Sequence, residues 1–123
     1  GHIEAAIGRD PKVRQKMAVS KKEDARDALT YYRVLKRFRG MTLLELRIAT
    51  GRTHQIRVHL THLGHPVVGD TIYGKPGTKA LRLMLHASKI KFTHPKTRKI
   101  MSFESPLPDL MREAIEEAGE ARV

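Results

Sequence analysis

The stretch ALTYYRVLKRFRGMTLLELRIATGRTHQIRVHLTHLG, residues 28–64, carries two periodicities and the point where one gives way to the other. From Ala28 to Phe38 the side chains alternate, with Thr30, Tyr32, Val34 and Phe38 on one face and Arg33 and Arg37 on the other. Arg39-Gly40 supplies a tight turn, after which Leu44, Leu46 and Ile48 alternate with Glu45 and Arg47. Alternation of period two puts every second side chain on one face of a strand, so two such runs about a glycine turn predict a β-hairpin. Beyond Gly51 the period lengthens. Ile56, Leu60 and Leu63 recur at helical spacing, Thr53 stands where an N-cap belongs, and Gly64 with Pro66 ends the run. A strand pair therefore feeds a helix.

Outward from this block the signals are shorter. Residues 1–27 are polar and basic, and Met17-Ala18-Val19 is their one apolar patch with strand character. Leu83 to Phe92 and Lys99 to Phe103 predict a second strand pair around His94-Pro95-Lys96-Thr97, with Leu85, Ile90, Phe92 and Phe103 read as core. Pro108 and Asp109 open an acidic helix over about 108–120, expected to dock through Leu110, Met111, Ala114 and Ile115. No internal repeat or low-complexity linker divides residues 1–123. The expectation is one α+β domain: a mixed, mostly antiparallel sheet with flanking helices.

Composition narrows the partner. Lysine and arginine total 24 against 13 aspartates and glutamates, a net charge of +11. The excess is uneven, because residues 1–100 hold 22 basic and 7 acidic side chains while the last stretch is acidic. A basic body favours a polyanion, of which nucleic acid is the commonest. There is no cysteine, which excludes a disulfide framework and cysteine-based zinc sites and fits a reducing cytoplasm. No apolar run approaches membrane-spanning length, so no membrane partner is expected.

The histidine-rich run from Ala49 to Gly74 admits three chemistries. As a metal site it offers His59, His62 and His65 with Asp70 near, but His65 lies beyond the glycine stop. Leu60-Thr61 also stands where a zinc protease needs its glutamate, so no metal is expected. As a phosphate loop, Gly69 to Lys75 fits the G-x-x-x-x-G-K spacing. Pro76 follows where a serine or threonine must hold magnesium, and Asp70 places a negative charge inside the cradle. Gly69 and Gly74 are better read as bracketing a turn. As a helix start, the run points free backbone N–H groups and a positive dipole end at whatever precedes it. Arg57 sits beside the apolar stripe, where its planar fork either receives a carboxylate or phosphate or simply covers the surface.

The residues of this run also resemble a known family. Leu43-Leu44-Glu45-Leu46 followed by Thr50-Gly51-Arg52-Thr53-His54-Gln55-Ile56-Arg57-Val58-His59 is similar to the RluA-type pseudouridine synthases. So are Gly64-His65-Pro66, Val68-Gly69-Asp70, Tyr73-Gly74, Leu85-His86-Ala87, Phe92 with His94-Pro95, and Phe103 with Pro106-Leu107-Pro108. Upstream, Gly8-Arg9, Lys16 to Val19, Ala28, Thr30 and Tyr32 match as well. The resemblance implies isomerisation of uridine in ribosomal or transfer RNA, without cofactor or metal, in a cleft between two halves of a largely antiparallel sheet. It implies an aspartate that does the chemistry, a tyrosine that packs on the base, and an arginine that pairs with the aspartate, which by motif position is Arg57.

Two departures qualify that picture. The family's His-Arg-Leu-Asp stretch is absent, and Asp10, Asp24, Asp27, Asp70 and Asp109 all lack its context. Ala25-Arg26 stands where the family usually has Gly-Lys or Gly-Arg. The resemblance therefore implies the carboxy-terminal half of a catalytic domain, whose partners are RNA, the missing amino-terminal half and, through an open sheet edge, a second copy of itself. Arg52, His54 and Gln55 at the helix start are expected to meet a flipped nucleotide or its phosphate, with Arg9, Arg14, Lys16 and Arg26 tracking the RNA backbone. The competing reading is a basic RNA-binding module that never did chemistry.

Overall fold

Residues 1–74 and 82–120 are described by a computed structural model. Among the described residues, seven strands and two helices run in the order β1 (His2–Glu4), β2 (Ile7–Arg9), β3 (Met17–Val19), β4 (Leu29–Phe38), β5 (Met41–Ile48), α1 (Gln55–His62), β6 (Lys89–Thr93), β7 (Ile100–Glu104) and α2 (Asp109–Glu120). The α+β architecture with antiparallel pairing is the one the sequence predicts. The described strands divide among three small sheets, β1-β4-β5, β2-β3 and β6-β7, rather than forming one.

The β4–β5 hairpin turns through Arg39-Gly40, where Gly40 adopts φ 75°, a value that favours glycine. Thr30 pairs with Ile48 and Val34 with Leu44, but Lys36 then pairs with Leu43, which leaves Leu35 as an extra residue. That bulge reverses the alternation. Phe38 pairs with Met41 and shares the face of Glu45, not the face of Thr30 and Tyr32 to which simple alternation assigns it.

Two strands arise where the sequence shows no pattern. β1 pairs Ile3 with Thr30, and β2 pairs Gly8 with Ala18, each over three residues. Three residues are too few for a period to register. The second predicted strand pair is real but shorter, since Leu83 to Ser88 lie outside it. Its apolar residues are not core: Ile90, Phe92 and Phe103 are 59%, 41% and 52% exposed. The pair forms a two-stranded ribbon on which Phe92 and Phe103 stack on each other.

The core instead lies where β2–β3, the start of β4 and α1 meet. Ile7, Ala28 and Val58 form it, with Met17, Val19 and Tyr73 packed around them. The helix begins one residue later than expected. His54 is the N-cap, in a left-handed conformation with no side-chain cap bond, and Thr53 precedes it. The buried face of α1 is Gln55, Val58, His59 and Leu60, while Leu63 is exposed. Of the expected Ile56–Leu60–Leu63 stripe Leu60 is buried, Ile56 half-buried and Leu63 exposed, and the polar Gln55 and His59 join the buried face for a reason that lies in their hydrogen bonds. In α2, Met111, Ala114, Ile115 and Ala118 face inward, whereas Leu110, expected to dock, is exposed.

Candidate active site

A buried polar network fixes how α1 sits on β4. Oε1 of Gln55 accepts from the Thr50 hydroxyl (2.7 Å) and from the Arg52 backbone N–H (3.0 Å). Its Nε2 donates to the Leu29 carbonyl and the Thr30 hydroxyl, both at 3.0 Å. Thr30 in turn meets Nδ1 of His59 at 2.8 Å, and Nε2 of His59 donates to the Ala5 carbonyl at 2.8 Å. The carbonyl demands a proton on Nε2, so Nδ1 accepts and Thr30 donates. Every polar group of Gln55 and both nitrogens of His59 are used inside the protein.

The network fixes what Gln55 and His59 do within the fold. Gln55 is structural: an amide with all four hydrogen-bonding positions filled has nothing to offer a nucleotide. His59 is a satisfied core histidine with no exposed atom, and His62 and His65 lie on the surface.

With the helix so placed, Arg57 points toward the turn Val67–Gly74. Its Nε donates to Oδ2 of Asp70 at 2.9 Å and an Nη to Oδ1 at 2.8 Å, a two-pronged ion pair. Asp70 Oδ1 also accepts from the backbone N–H groups of Ile72 and Tyr73, both at 3.0 Å. The Asp70 side chain is fully enclosed, while 15% of the Arg57 side chain remains accessible. The Arg57 hydrogen bond, helped by the Tyr73 and Ile72 amides against the cost of burial, holds the Asp70 carboxyl at about 2. The same hydrogen bond raises Arg57 above its ordinary value. The sequence expectation of an Arg57 whose partner aspartate lies elsewhere is thus incomplete, because one edge of its guanidinium already holds Asp70. Gly69 at φ 81° permits the turn, and Gly74 leaves no room for a side chain against the Asp70 carbonyl.

Tyr73 joins the pair to the rest of the site. Its ring lies 5.3 Å from the Arg57 guanidinium and 5.9 Å from the Lys16 ammonium, within the range of cation–π attraction. Its hydroxyl accepts from the Met17 N–H at 2.9 Å and meets Nδ1 of His54 at 2.8 Å. Arg57, Tyr73, His54 and Lys16 therefore form one cluster.

The other expected contacts are scattered around it. Arg52 is half-buried and donates through Nε to the Asp27 carbonyl. Arg9 and Arg14 belong to the same hairpin as Lys16 and touch each other through the Arg14 carbonyl. Arg26 is exposed and bridges β2 through its backbone. The groove bounded by Glu4–Ala6, Asp27–Leu29 and Ala49–Thr50 contains two acids and no base, so it is not where a polyanion would lie. Asp70 and Tyr73 were noted in the sequence, but neither was given a part in the site.

The family model for RNA pseudouridylate synthase matches residues 1–62, which run from β1 to the end of the helix bearing Arg57. The chain belongs to the RNA pseudouridylate synthase family. It is 47% identical over 117 residues to an RNA pseudouridine synthase of Bacillus subtilis, covering 94% of this chain and 38% of that protein. It is 46% identical over 120 residues to the ribosomal large subunit pseudouridine synthase D of Nitrosomonas europaea, covering 90% of this chain and 34% of the relative. The chain thus spans little more than a third of the length of these relatives. Among solved structures, the human RNA pseudouridylate synthase domain containing 1 superposes with a TM-score of 0.75 at 27% identity, over 97% of this chain and 59% of that one. Family membership and fold agree.

Proposed function

We propose that the chain is the carboxy-terminal portion of the catalytic domain of an RNA pseudouridine synthase. This class of enzyme detaches uracil from its sugar, turns the base and rejoins it through carbon, here in ribosomal or transfer RNA. The observation that carries the reading is the state of Arg57: a guanidinium in the family motif, held by Asp70 through Nε and one Nη, on a side chain that keeps 15% of its surface accessible. An aspartate that attacks carbon inside a closed RNA pocket must stay ionised while losing water, and a paired guanidinium opposes the rise in pKa that burial imposes.

That aspartate would come from a segment outside these 123 residues. Asp70 is enclosed with both oxygens engaged, Asp10 accepts from the Lys12 and Val13 amides, and Asp109 pairs with Arg112. Asp24 and Asp27 are exposed, with no bond to Arg57 among the described residues. Lys16, Arg9 and Arg14 on the β2–β3 hairpin, with Arg52, His54 and the exposed Arg26, would hold the RNA backbone around the target uridine.

The test is incubation of the full-length protein with ribosomal and transfer RNA transcripts, followed by carbodiimide labelling and mapping of reverse-transcription stops. Stops at one or a few discrete uridines are expected. RNA binding without any stop would make the protein a non-catalytic RNA-binding module and overturn the reading.

A further inference from the structure

An arginine whose task is to pair with one carboxylate does not need a second, yet Arg57 has one. A guanidinium carries five N–H donors in a rigid fork, and Asp70 takes one from Nε and one from an Nη. Three donors remain, and no other hydrogen bond from Arg57 is made among the described residues. The accessible 15% of its side chain contrasts with an Asp70 that has no exposed surface. Asp70 is itself immobilised, by the Ile72 and Tyr73 amides and by the close turn at Gly74. The Tyr73 ring lies beside the guanidinium, and its hydroxyl is anchored on β3 through Met17. Arg57 is thus held by one edge and flanked by one ring, in a single orientation.

We propose that Asp70 is a positioning residue: it clamps Arg57 by its Nε edge so that the remaining Nη donors stay aimed at a second carboxylate, that of the nucleophilic aspartate. The inference rests on the reading of the chain as part of a pseudouridine synthase. It adds to that reading a reason for the buried ion pair. A free arginine side chain samples many rotamers, and a misplacement of about 1 Å costs on the order of 100-fold in rate. Asp70 does not touch the substrate and acts only through Arg57.

A double-substitution cycle in the full-length protein tests this. Asp70→Asn keeps an acceptor for the turn amides but presents an amide N–H to the Nε–H of Arg57, so the clamp is lost. At a temperature where both proteins are folded by circular dichroism, kcat is expected to fall on the order of 100-fold with KM for RNA held within about threefold. In an Arg57→Lys background, which has no two-pronged edge to clamp, the same change is expected to lower kcat by no more than about threefold. Equal losses in the two backgrounds, or an unchanged kcat in Asp70→Asn, would overturn the inference. If Asp70→Asn does not fold, Asp70→Glu replaces it in the same cycle, since it keeps the charge and displaces the guanidinium by one methylene. Absence of pseudouridine from the wild-type protein would instead refute the underlying function, and so the two failures are distinguishable.

Discussion

Arg57 and Asp70 answer to a demand from stability and, on the function proposed above, to one from chemistry. Asp70 is a fully enclosed carboxylate whose pKa lies at about 2 in the fold against an ordinary value of 3.8. Its stabilising contribution is therefore complete above pH ~4 and disappears as the pH falls through ~2, because the unfolded chain takes up the proton first. The shift corresponds to about 2 kcal/mol. Urea denaturation of the full-length protein at pH 6 and at pH 2.5 is expected to show most of that loss, and Asp70→Asn is expected to remove this part of the pH dependence. An Asp70→Asn variant that loses as much stability on acidification as the wild type would show that the pair contributes nothing to the fold. The pair also changes what Arg57 substitutions mean. The motif alone suggests that removing the guanidinium leaves the fold untouched, whereas in the structure Arg57→Ala strands a buried charge, at a cost of about 3–5 kcal/mol. Lysine, which keeps the charge, is the informative replacement.

Among the elements, the hairpin and the helix following it were legible, because a glycine at positive φ and a change of period mark them in the sequence. The bulge at Leu35 was not, since alternation cannot reveal one extra residue, and with it went the facing of Phe38. β1 and β2 are too short for a pattern. The face of α1 was misread for a different reason. Apolar periodicity assumes that buried means apolar, while Gln55 and His59 are buried because their partners on β4, before β2 and between β5 and α1 consume every polar group. The Arg57–Asp70 contact spans 13 residues and exists only once the Val67–Gly74 turn folds back on α1, so the motif could name Arg57 but not its second partner. A consequence belongs to this scale. Gln55→Leu leaves the Arg52 N–H without its acceptor and takes one partner each from the Leu29 carbonyl and the Thr30 and Thr50 hydroxyls, which keep the Ala49 N–H, His59 and the Leu29 N–H. The expected loss of stability is about 1–3 kcal/mol per group left buried and unsatisfied, read from urea midpoints of the full-length protein. A change below about 0.5 kcal/mol would mean that water reaches the network and that it does not hold α1 on the sheet.

At the scale of the whole molecule, the charge and the site point the same way. Lys16 of the β2–β3 hairpin adjoins the Arg57–Tyr73 cluster, so a polyanion drawn to Lys16 would lie near Arg57. About four phosphate contacts from this surface would give a slope of roughly −3 for log affinity against log salt. Arg57, whose Nε and one Nη are held by Asp70, is not counted among them. Its work and that of the hairpin are therefore separable. The most direct measurement is to compare single-turnover pseudouridine formation and RNA affinity for the full-length wild-type protein and its Arg57→Lys variant. Lysine has the charge without the two-pronged grip, so the rate is expected to fall at least about tenfold, equivalent to 1.36 kcal/mol of barrier, while RNA affinity stays within about twofold. A variant that turns over at the wild-type rate, or one that loses RNA binding and rate in the same proportion, would contradict the account and make Arg57 a phosphate contact.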